Sequence, residues 1–512
     1  MRVKPRVNDE VRMLKYINVH LSVLLAAYSS LTIAASDSTD IMINLRQMSL
    51  EELMKVEITS STLSAESLKS VPSSVTIFTR KQIQQLGINT LEELMNHVPG
   101  YQNYVSDTNQ SSYSSRSRRV ASGSREVLVL LDGQRLNNDL FGNAGAIQPL
   151  SLKNVAKVEF IRGPGSAIYG ANAFLGVINV MTVNDISEVD VSTGSFQQRQ
   201  ISLNVNTEAG AFNSNLTIES QSGDGELLSR YDPITANFID SHQETSQKSI
   251  YWRARWNDGS DGGLSLQARH LENISDGGYF SGRASDAYNR FDFGSSFFAL
   301  QYKKTLNENW EFSSRISDSL YEYQAEFLAA KTPSEVEVIG RINMEGNDRS
   351  FENQLRWHQG SAKAMLGMDY TRNSVDRVES SAQFLPAPPN PSSNAFGTDV
   401  RQVRSWYGQW QDELRQNWTY ILGIRRDDYS DIKGHTSPRA GLIWGVDESN
   451  TLKLLYGEAF RAPARNETSA TNPSQLGNPN LQPEISKTLE FVWMKTGEHY
   501  YGTVSLFDTK IT

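Results

Sequence analysis

The chain has 512 residues, with 58 acidic and 49 basic side chains, a net charge of −9 and a mean hydropathy of −0.46. Its length allows several domains, and the modest net charge gives no support to nucleic-acid binding. No cysteine is present, which excludes disulfides, thiolate metal sites and cysteine nucleophiles. Beyond the N-terminus no run of about 18 apolar residues predicts a membrane helix, but strands that face lipid with alternate side chains are compatible with this composition.

An export signal is predicted at the N-terminus. Lys15 precedes an apolar run from Ile17 to Ala27, and small residues follow up to Ala35. Met13 begins a compact charged leader and is an alternative start to Met1. A buried helix or a membrane anchor is the competing interpretation of the same run.

Two short elements are predicted after this signal. The segment from Ser49 to Met54 has the pattern of a capped helical turn. The hexamer from Lys55 to Ser60 alternates polar and apolar side chains and is predicted to be extended.

Residues 70–184 are predicted to form a compact α/β unit, which is large enough for a core of its own. Thr79 and Thr90 each begin a capping pattern that predicts a helix, the first up to Leu86 and the second over Leu91–Val98. The predicted strands of this unit are Val75–Phe78, Val127–Leu131, Val155–Ile161 and Val177–Met181.

The stretch from Asn154 to Thr182 places a glycine-rich turn between the last two of these strands. A phosphate-binding loop would continue with Gly-Lys-Ser/Thr, but here Ala171 follows Gly170. A dinucleotide fold requires a Gly-x-Gly-x-x-Gly rhythm, which Gly163, Gly165 and Gly170 do not keep. Both nucleotide-binding interpretations are therefore excluded.

The order of these motifs resembles the plug domain of TonB-dependent outer-membrane receptors. The matching stretches are TLEELMNHVPGY, VLVLLDGQRLN and VEFIRGPGSAIYG, and the plug structural motif is assigned to Asp132, Gly133, Arg162, Gly163, Pro164, Tyr169 and Gly170. The chain departs from the family between Tyr113 and Arg125, because Arg116 is followed by Ser117 instead of glycine. Details of that loop are not carried over.

From Glu188 onward the pattern changes to period-2 segments separated by turns, such as the alternating apolar residues between Ile250 and Trp256. Long polar connections, for example about 324–346 and 374–399, alternate with short turns, as in membrane β-barrels. We count about 15 strands, against roughly 22 in plugged transporters. The predicted fold is a membrane β-barrel, 22-stranded and antiparallel in the family, with an N-terminal α/β plug in its lumen.

An odd strand count and a C-terminal Lys-Ile-Thr, where the family usually ends in an aromatic residue, lead us to expect a barrel that is incomplete at the C-terminus. The predicted domains are a signal peptide (1–35), a periplasmic segment with linker (36–69), the plug (70–184) and the barrel (185–512).

The resemblance implies a partner for the extended hexamer. In the family, such a segment is the TonB box, which adds as a strand to the periplasmic energy-transducing protein TonB. The implied TonB-contact residues are Val56, Glu57, Ile58, Thr59 and Ser60. An ordinary linker strand is the alternative.

The upper plug mixes aromatic and guanidinium groups. Plug loops that face outward line the ligand vestibule in this family, so the resemblance implies ligand-binding candidates, namely Tyr101, Tyr104, Tyr113, Arg116, Arg118 and Arg119. Arginine can pair with carboxylate or catecholate oxygens, and aromatic rings can stack on planar ligands. Equally, these arginines can pair with acids of the barrel wall.

Two further boxes, EAFRAP at 458–463 and NPNLQPE at 478–484, resemble those that flank an outer loop in many such receptors and are prominent in haem receptors. No histidine lies between Phe460 and Leu481, so the haem interpretation loses its main support. The seven histidines are scattered singly, and neither a catalytic constellation nor a metal or cofactor site is predicted.

The sequence therefore predicts a TonB-dependent receptor that imports a scarce ligand and performs no chemistry on it. An iron–siderophore complex is the first expectation; cobalamin, haem and an oligosaccharide are the alternatives. An uncoupled binding protein is the competing class, and an outer-membrane enzyme has no residue cluster in its favour. The expected location is the Gram-negative outer membrane, with its lipid, TonB and the small-molecule ligand as partners.

Overall fold

The structure, a computed structural model, describes residues 67–105, 111–116, 125–144, 149–259, 262–280, 283–285, 288–331, 337–394, 400–472, 475–497 and 500–512. The predicted signal peptide, the helical turn at 49–54, the segment 56–60, Arg118 and Arg119 lie outside these residues. Among the described residues, no helix has both the length and the apolar character needed to cross a membrane.

The first part of the described chain is a small α/β domain, the plug. Its strands are β1 Ser74–Thr79, β2 Tyr101–Val105, β3 Ser111–Ser115, β4 Val127–Leu131, β5 Gln134–Arg135, β6 Val155–Arg162 and β7 Gly176–Thr182. Its helices are α1 Arg80–Leu86, α2 Leu91–Met95 and α3 Ser166–Tyr169. One sheet has the order β1-β6-β7-β4-β5, in which β4 and β7 are parallel and the other pairs antiparallel. Strands β2 and β3 form a separate hairpin.

Local signals explain the plug helices. Thr79 and Gln82 form the predicted capping box, and Gly87 ends α1 with φ = +69°. Helix α2 ends at Met95 and not at Val98, because the amides of His97 and Val98 bond three residues back, in a tighter turn than the α-helix. The apolar strands β4, β6 and β7 supply the centre of the plug core.

The Asp132–Gly133 turn follows β4 as predicted. Both residues have positive φ, +46° and +81°, which is the conformation of a two-residue type I′ hairpin turn. Glycine at the second position adopts it without strain, and the turn brings β5 back beside β4.

The rest of the chain is dominated by one large antiparallel sheet with short hairpins between its strands. Its elements are β8 Glu188–Thr193, β9 Arg199–Ala209, β10 Phe212–Gly223, β11 Leu227–Asp232, β12 Asn237–His242, β13 Thr245–Asn257, β14 Gly262–Asp276, β15 Tyr279–Phe280, β16 Arg283–Ala284, β17 Arg290–Asn307, β18 Trp310–Lys331, β19 Glu337–Gln359, β20 Ala362–Phe384, β21 Ser393–Asn394, β22 Val400–Arg415, β23 Trp418–Tyr429, β24 His435–Gly445, β25 Asn450–Arg461, α4 Arg465–Ser469, β26 Thr471–Asn472, β27 Gln475–Leu476, β28 Glu484–Thr496 and β29 Tyr501–Ile511.

The main path of this sheet runs from β8 to β29 through 15 strands, which confirms the predicted count. The pairs β11–β12, β15–β16 and β26–β27 are separate hairpins, and β21 adds to β20. Short turns, such as those at Gly210 and Gly360, mark one rim of the sheet, the short-turn rim. Longer connections, such as 462–483, mark the opposite long-loop rim.

The sheet is apolar outside and polar inside. In β28, Leu489, Phe491 and Trp493 are exposed, whereas the alternate side chains of Thr488 and Glu490 are buried against the plug side. This inverts the usual soluble pattern and suits a wall with lipid outside and a hydrophilic lumen inside.

Three strands are longer than the alternation predicts. Strands β18, β19 and β20 have 22, 23 and 23 residues, so much of the predicted loops 324–346 and 374–399 is strand. About 9–11 residues suffice to cross a bilayer. The extensions are held by cross-strand ion pairs, such as Arg341–Glu326 at 3.0 Å and Arg377–Glu345 at 3.1 Å, and by a buried apolar cluster that includes Met344 and Val375.

Candidate functional site

A cavity of about 1080 Å³ separates the plug from one side of the wall. Its wall side belongs to β13, β14, β17–β20, β22 and β23. Its lining reaches from Gly259 and Gly262 at the short-turn rim to Ala462 and Ala464 at the long-loop rim. The cavity therefore extends along most of the height of the wall.

Charged side chains contribute to the lining of this cavity, and on the wall most of them are paired. Arg425 lies 2.6 Å from Asp369 and 2.8 Å from Asp427, and Arg356 lies 2.6 Å from Glu311. Such pairs fix the side chains and keep the lumen wettable without a large net charge. The lining suits a hydrophilic solute.

Arg135 is the plug cation in this cavity, and the sequence analysis did not select it. Its guanidinium donates to the carbonyl oxygens of Tyr169 at 2.5 Å and Ala171 at 2.9 Å. Within the described part of the chain it has no carboxylate at ion-pair distance. Burial lowers the pKa of Arg135. Arg135 stands two residues after Gly133 in the sequence, and this place alone does not identify it as a cavity residue.

Asp132 of the predicted structural motif joins the plug sheet to the wall. Its Oδ1 accepts from the Thr182 amide at 3.0 Å, and its Oδ2 accepts from the Thr182 hydroxyl at 2.7 Å. The hydroxyl of Tyr251 in β13 also donates to Oδ2, at 2.9 Å. The motif thus contributes a specific contact between plug and wall.

The second half of the motif surrounds Arg162. Its guanidinium donates to the hydroxyls of Ser74 and Thr76 of β1, at 2.8 Å and 2.7 Å, and so fastens the end of β6 to its neighbour. Gly163 has φ = +89°, and a Cβ there would lie 3.1 Å from Nη2 of Arg116. A side chain at Gly163 would therefore displace Arg116.

The remaining motif residues face the wall. Pro164 packs close to Gly457 of β25, where a Cβ would lie 2.8 Å from the proline ring. A Cβ on Gly170, at φ = +72°, would lie 3.1 Å from Arg425. Helix α3, which ends at Tyr169, is held by a bond of 3.2 Å from Arg425 to the Ile168 carbonyl.

Arg116, a ligand candidate, contacts the wall in this structure. Its Nη2 lies 2.5 Å from Oε2 of Glu490 in β28, and both side chains are buried. The guanidinium also lies 4.2 Å from the centre of the Phe507 ring in β29. Ligand binding by Arg116 stays a prediction, and it would require this ion pair to be shared or broken.

The three candidate tyrosines differ in exposure. Tyr101 and Tyr113 are buried, and their hydroxyls donate to the Ile161 carbonyl and to Glu92, both at 2.6 Å. Burial raises the pKa of Glu92 to about 7, although the bond from Tyr113 acts in the opposite direction. Tyr104 is half-buried on the β2–β3 hairpin. The structure brings these candidates to one side of the plug but does not gather them around a single cavity.

Comparison with known proteins shows which family has this combination of domains. A family model described as "TonB-dependent Receptor Plug Domain" matches residues 67–177, and one described as "TonB dependent receptor-like, beta-barrel" matches 230–512. The vitamin B12 transporter of Vibrio vulnificus is 22% identical over 450 residues, which are 86% of this chain and 67% of that protein.

Solved structures with the same fold include two receptors whose sequence identity to this chain is low. The ferripyoverdine receptor of Pseudomonas aeruginosa, bound to ferripyoverdine, has a TM-score of 0.70 at 15% identity and covers 88% of this chain and 65% of its own. The ferric yersiniabactin uptake receptor of Yersinia pestis has a TM-score of 0.69 at 16% identity, covering 86% and 72%. The chain spans about two thirds of the length of these relatives.

These matches confirm the predicted combination of a plug and a β-barrel wall. They are matches to receptors and transporters, and outer-membrane location is characteristic of such proteins. Because the barrel model alone spans more than half of the sequence and the plug model precedes it, the chain belongs to the TonB-dependent receptor family.

Proposed function

We propose that this protein is an active outer-membrane transporter that binds an iron–siderophore complex outside the cell and passes it to the periplasm with energy from TonB. The observation that carries the proposal is the cavity of about 1080 Å³ between plug and wall, lined by ion-paired side chains. Its volume is typical of protein sites that bind bulky organic ligands. The structural similarity to receptors of ferripyoverdine and ferric yersiniabactin supports the choice of ligand class.

The contacts between plug and wall fit this role. The Arg116–Glu490 pair and the Asp132–Tyr251 bond are directional polar contacts that a pull on the plug can break and that re-form afterwards. In the proposal, the pull is applied through the TonB box at 56–60, which pairs as an added strand with TonB. A cleaved signal at 1–35 directs the chain to the outer membrane.

The proposed ligand contacts are the predicted set of the upper plug, including Arg118 and Arg119, with Arg135 added. Arg135 lines the cavity and offers a guanidinium for an anionic oxygen of a ligand. Tyr101 and Tyr113 donate their hydroxyls within the plug, so in this proposal they act by shaping the surface.

Cobalamin is the second candidate ligand. The observation in its favour is the 22% identity with a vitamin B12 transporter. Haem is disfavoured, because no histidine lies between Phe460 and Leu481.

Uptake measured in paired strains tests the proposal. The native gene is expressed in a host that lacks its own siderophore and cobalamin receptors, with and without TonB. Accumulation of a radiolabelled ferric siderophore from a panel, only when TonB is present, is the expected result. Uptake that persists without TonB rejects active transport, and uptake of labelled cobalamin alone rejects the siderophore assignment.

A further inference from the structure

The two boxes EAFRAP and NPNLQPE enclose a connection whose role the function above does not use. The described residues of this connection, 462–472 and 475–483, are called here the outer loop; they follow β25, precede β28 and contain α4 and the paired strands β26 and β27. Ala462 and Ala464 at its start line the long-loop end of the cavity. The outer loop therefore covers part of that end.

A first clamp of charges holds the outer loop to both the plug and the wall. Arg125 of the plug lies 2.5 Å from Oε1 of Glu467 in α4. Arg461, at the end of β25, lies 2.7 Å from Oε2 of Glu467 and 3.1 Å from Glu484 in β28. Burial alone would raise the pKa of Glu467, but Arg125 and Arg461 outweigh it and the pKa is lowered. One loop carboxylate thus binds a plug cation and a wall cation.

A second clamp repeats this three-part arrangement with other residues. Arg401 of β22 lies 2.8 Å from Asp139 of the plug and 2.9 Å from Asp431, and it donates to the carbonyl of Pro463 in the outer loop at 2.9 Å. Arg465 of α4 lies 3.2 Å from the same Asp431. Arg401 is 1% exposed, so the central cation of this clamp is shielded from water, whereas its partners Asp139 and Asp431 are partly exposed.

Main-chain and apolar contacts complete the attachment. The amides of Arg465 and Asn466 donate to the carbonyl oxygens of Asp139 and Leu140 at 3.2 Å and 3.1 Å. Ala470, which directly follows α4, belongs to the same buried apolar cluster as Leu140 of the plug. The outer loop therefore rests on the plug as well as on the wall.

Buried charges make this attachment conditional on the plug. If the plug moves away, Glu467 and Arg401 each lose one of their charged partners, and this loss is costly because Arg401 is buried and Glu467 is partly buried. If the outer loop lifts first, Arg125 loses Glu467, and the carbonyl oxygen of Asp139 loses the amide of Arg465. Because such coupling is reciprocal, each event lowers the cost of the other.

We propose that the outer loop is a lid on the lumen cavity whose opening is coupled to displacement of the plug by the Glu467 and Arg401 clamps. The two boxes act as the anchors of this lid, since Arg461 belongs to one and Glu484 to the other. The inference goes beyond the proposed function, because it holds for any transported ligand and does not require TonB.

The absence of cysteine allows two clean reporters of this coupling. Ala470→Cys reports on the lid, since Ala470 belongs to the lid and is 3% exposed where it packs in one apolar cluster with Leu140 of the plug. Ala167→Cys reports on the plug, since Ala167 is 5% exposed in α3, which bonds to the wall through Ser166 and Ile168. Reaction rates with a bulky maleimide are measured on the whole protein in outer-membrane fractions.

The test changes a residue of the lid and measures the labelling rates of the lid and plug reporters. Glu467→Arg is expected to raise the labelling rate at both reporters by at least about tenfold, because it replaces two attractive contacts by repulsion. Combination with Arg125→Glu restores the contact to the plug with exchanged charges, while the contact with Arg461 stays repulsive, and it moves both rates back toward those of the parent. Arg349→Glu is the matched control, since its pair with Asp318 is exposed on the wall, and it leaves both reporters unchanged.

Two outcomes would overturn the proposal. Faster labelling of Ala470→Cys alone would mean that the lid opens without the plug, and unchanged rates at both sites would mean that the clamp does not hold the lid. If Glu467→Arg does not assemble, Glu467→Gln gives the same comparison with the charge removed and the shape kept. Neither outcome depends on TonB or on a ligand, so failure here is distinguishable from failure of the proposed transport function.

Discussion

At the scale of single residues, the plug holds a carboxyl group whose protonation affects stability. Glu92 is buried in α2 and accepts a bond of 2.6 Å from Tyr113, and burial raises its pKa from 4.5 to about 7. The folded plug therefore binds this proton more tightly than the unfolded chain. Its stabilising effect is fully present below the unfolded pKa of 4.5 and is lost as pH rises toward 7.

We expect the local unfolding free energy of the plug to fall by about 2 kcal/mol between pH 5.5 and pH 8, since each pKa unit is worth about 1.4 kcal/mol. Hydrogen-exchange protection of α2 measures it, after correction for the intrinsic pH dependence of exchange. Glu92→Gln has no such proton to lose, so its protection should not vary with pH. A wild-type pH dependence that persists in this variant would assign the effect to another group.

Arg135 gives a residue-scale prediction about transport. Arg135→Ala removes a cavity guanidinium whose own bonds are to the carbonyls of Tyr169 and Ala171. We expect ligand affinity to fall by about tenfold or more, the loss of one charge-assisted hydrogen bond, while assembly in the membrane is unchanged. Titration of ferric siderophore into purified protein measures this, with Arg349→Ala as the control on the exposed wall. Equal affinities in both variants would remove Arg135 from the ligand set.

At the scale of elements, the entry to the plug is fastened to the wall by two buried cations. Lys453 of β25 donates to the carbonyls of Leu68 and Val71, both at 2.7 Å, and Arg439 of β24 donates to Pro72 at 2.6 Å. These bonds hold the chain just before β1 against the sheet. A force on the preceding segment must break them before it reaches the plug sheet.

Lys453→Met should release this segment, because it leaves two buried carbonyl groups without their donor. Trypsin cleaves after lysine, and Lys69 lies inside the fastened stretch, so cleavage there reports release directly. We expect cleavage after Lys69 to accelerate by on the order of tenfold or more, since an unsatisfied buried group costs about 1–3 kcal/mol. Lys363→Met, on a different wall strand, should leave this rate unchanged. Equal rates in all three proteins would show that other contacts hold the segment.

The individual helices, turns and strands show how much of the fold could be predicted from the sequence. The helix that Thr79 caps and the Asp132–Gly133 turn were predicted because each depends on neighbours within four residues. The polar ends of β18–β20 were missed, because alternation of apolar residues stops at the lipid boundary while cross-strand ion pairs continue the ladder. The fold class was predictable, but the full lengths of these strands were not.

The candidate site was less predictable for a similar reason. The plug motif could be read from sequence, because its glycines and Asp132 serve turns and close contacts. Arg125 and Glu467 are far apart in the chain, and no local pattern pairs them. Arg135 was missed because a cation after a turn gives no signal until the opposite wall is in place.

At the scale of the whole molecule, plug, wall and outer loop meet at one point that can be locked. A Cβ on Gly142 of the plug would lie 3.6 Å from the Cβ of Ala464 in the outer loop, within the range that a disulfide requires. Gly142 has φ = +74°, and a Cβ there would also lie 3.3 Å from Cγ of Arg125, so a cysteine at this position carries some strain. Gly142→Cys with Ala464→Cys therefore ties the lid to the plug by a covalent bond.

The oxidised double variant should fail to transport ferric siderophore, because the lid cannot open away from the plug. Reduction should restore uptake to the level of the two single-cysteine variants, which share the backbone strain and cannot form the bond. To make this comparison, uptake is measured in cells before and after treatment with a membrane-impermeant reductant. Uptake that is equal in the oxidised and reduced states would mean that the ligand passes with lid and plug still joined, and the cavity along β13–β23 would then itself be the open route through the protein.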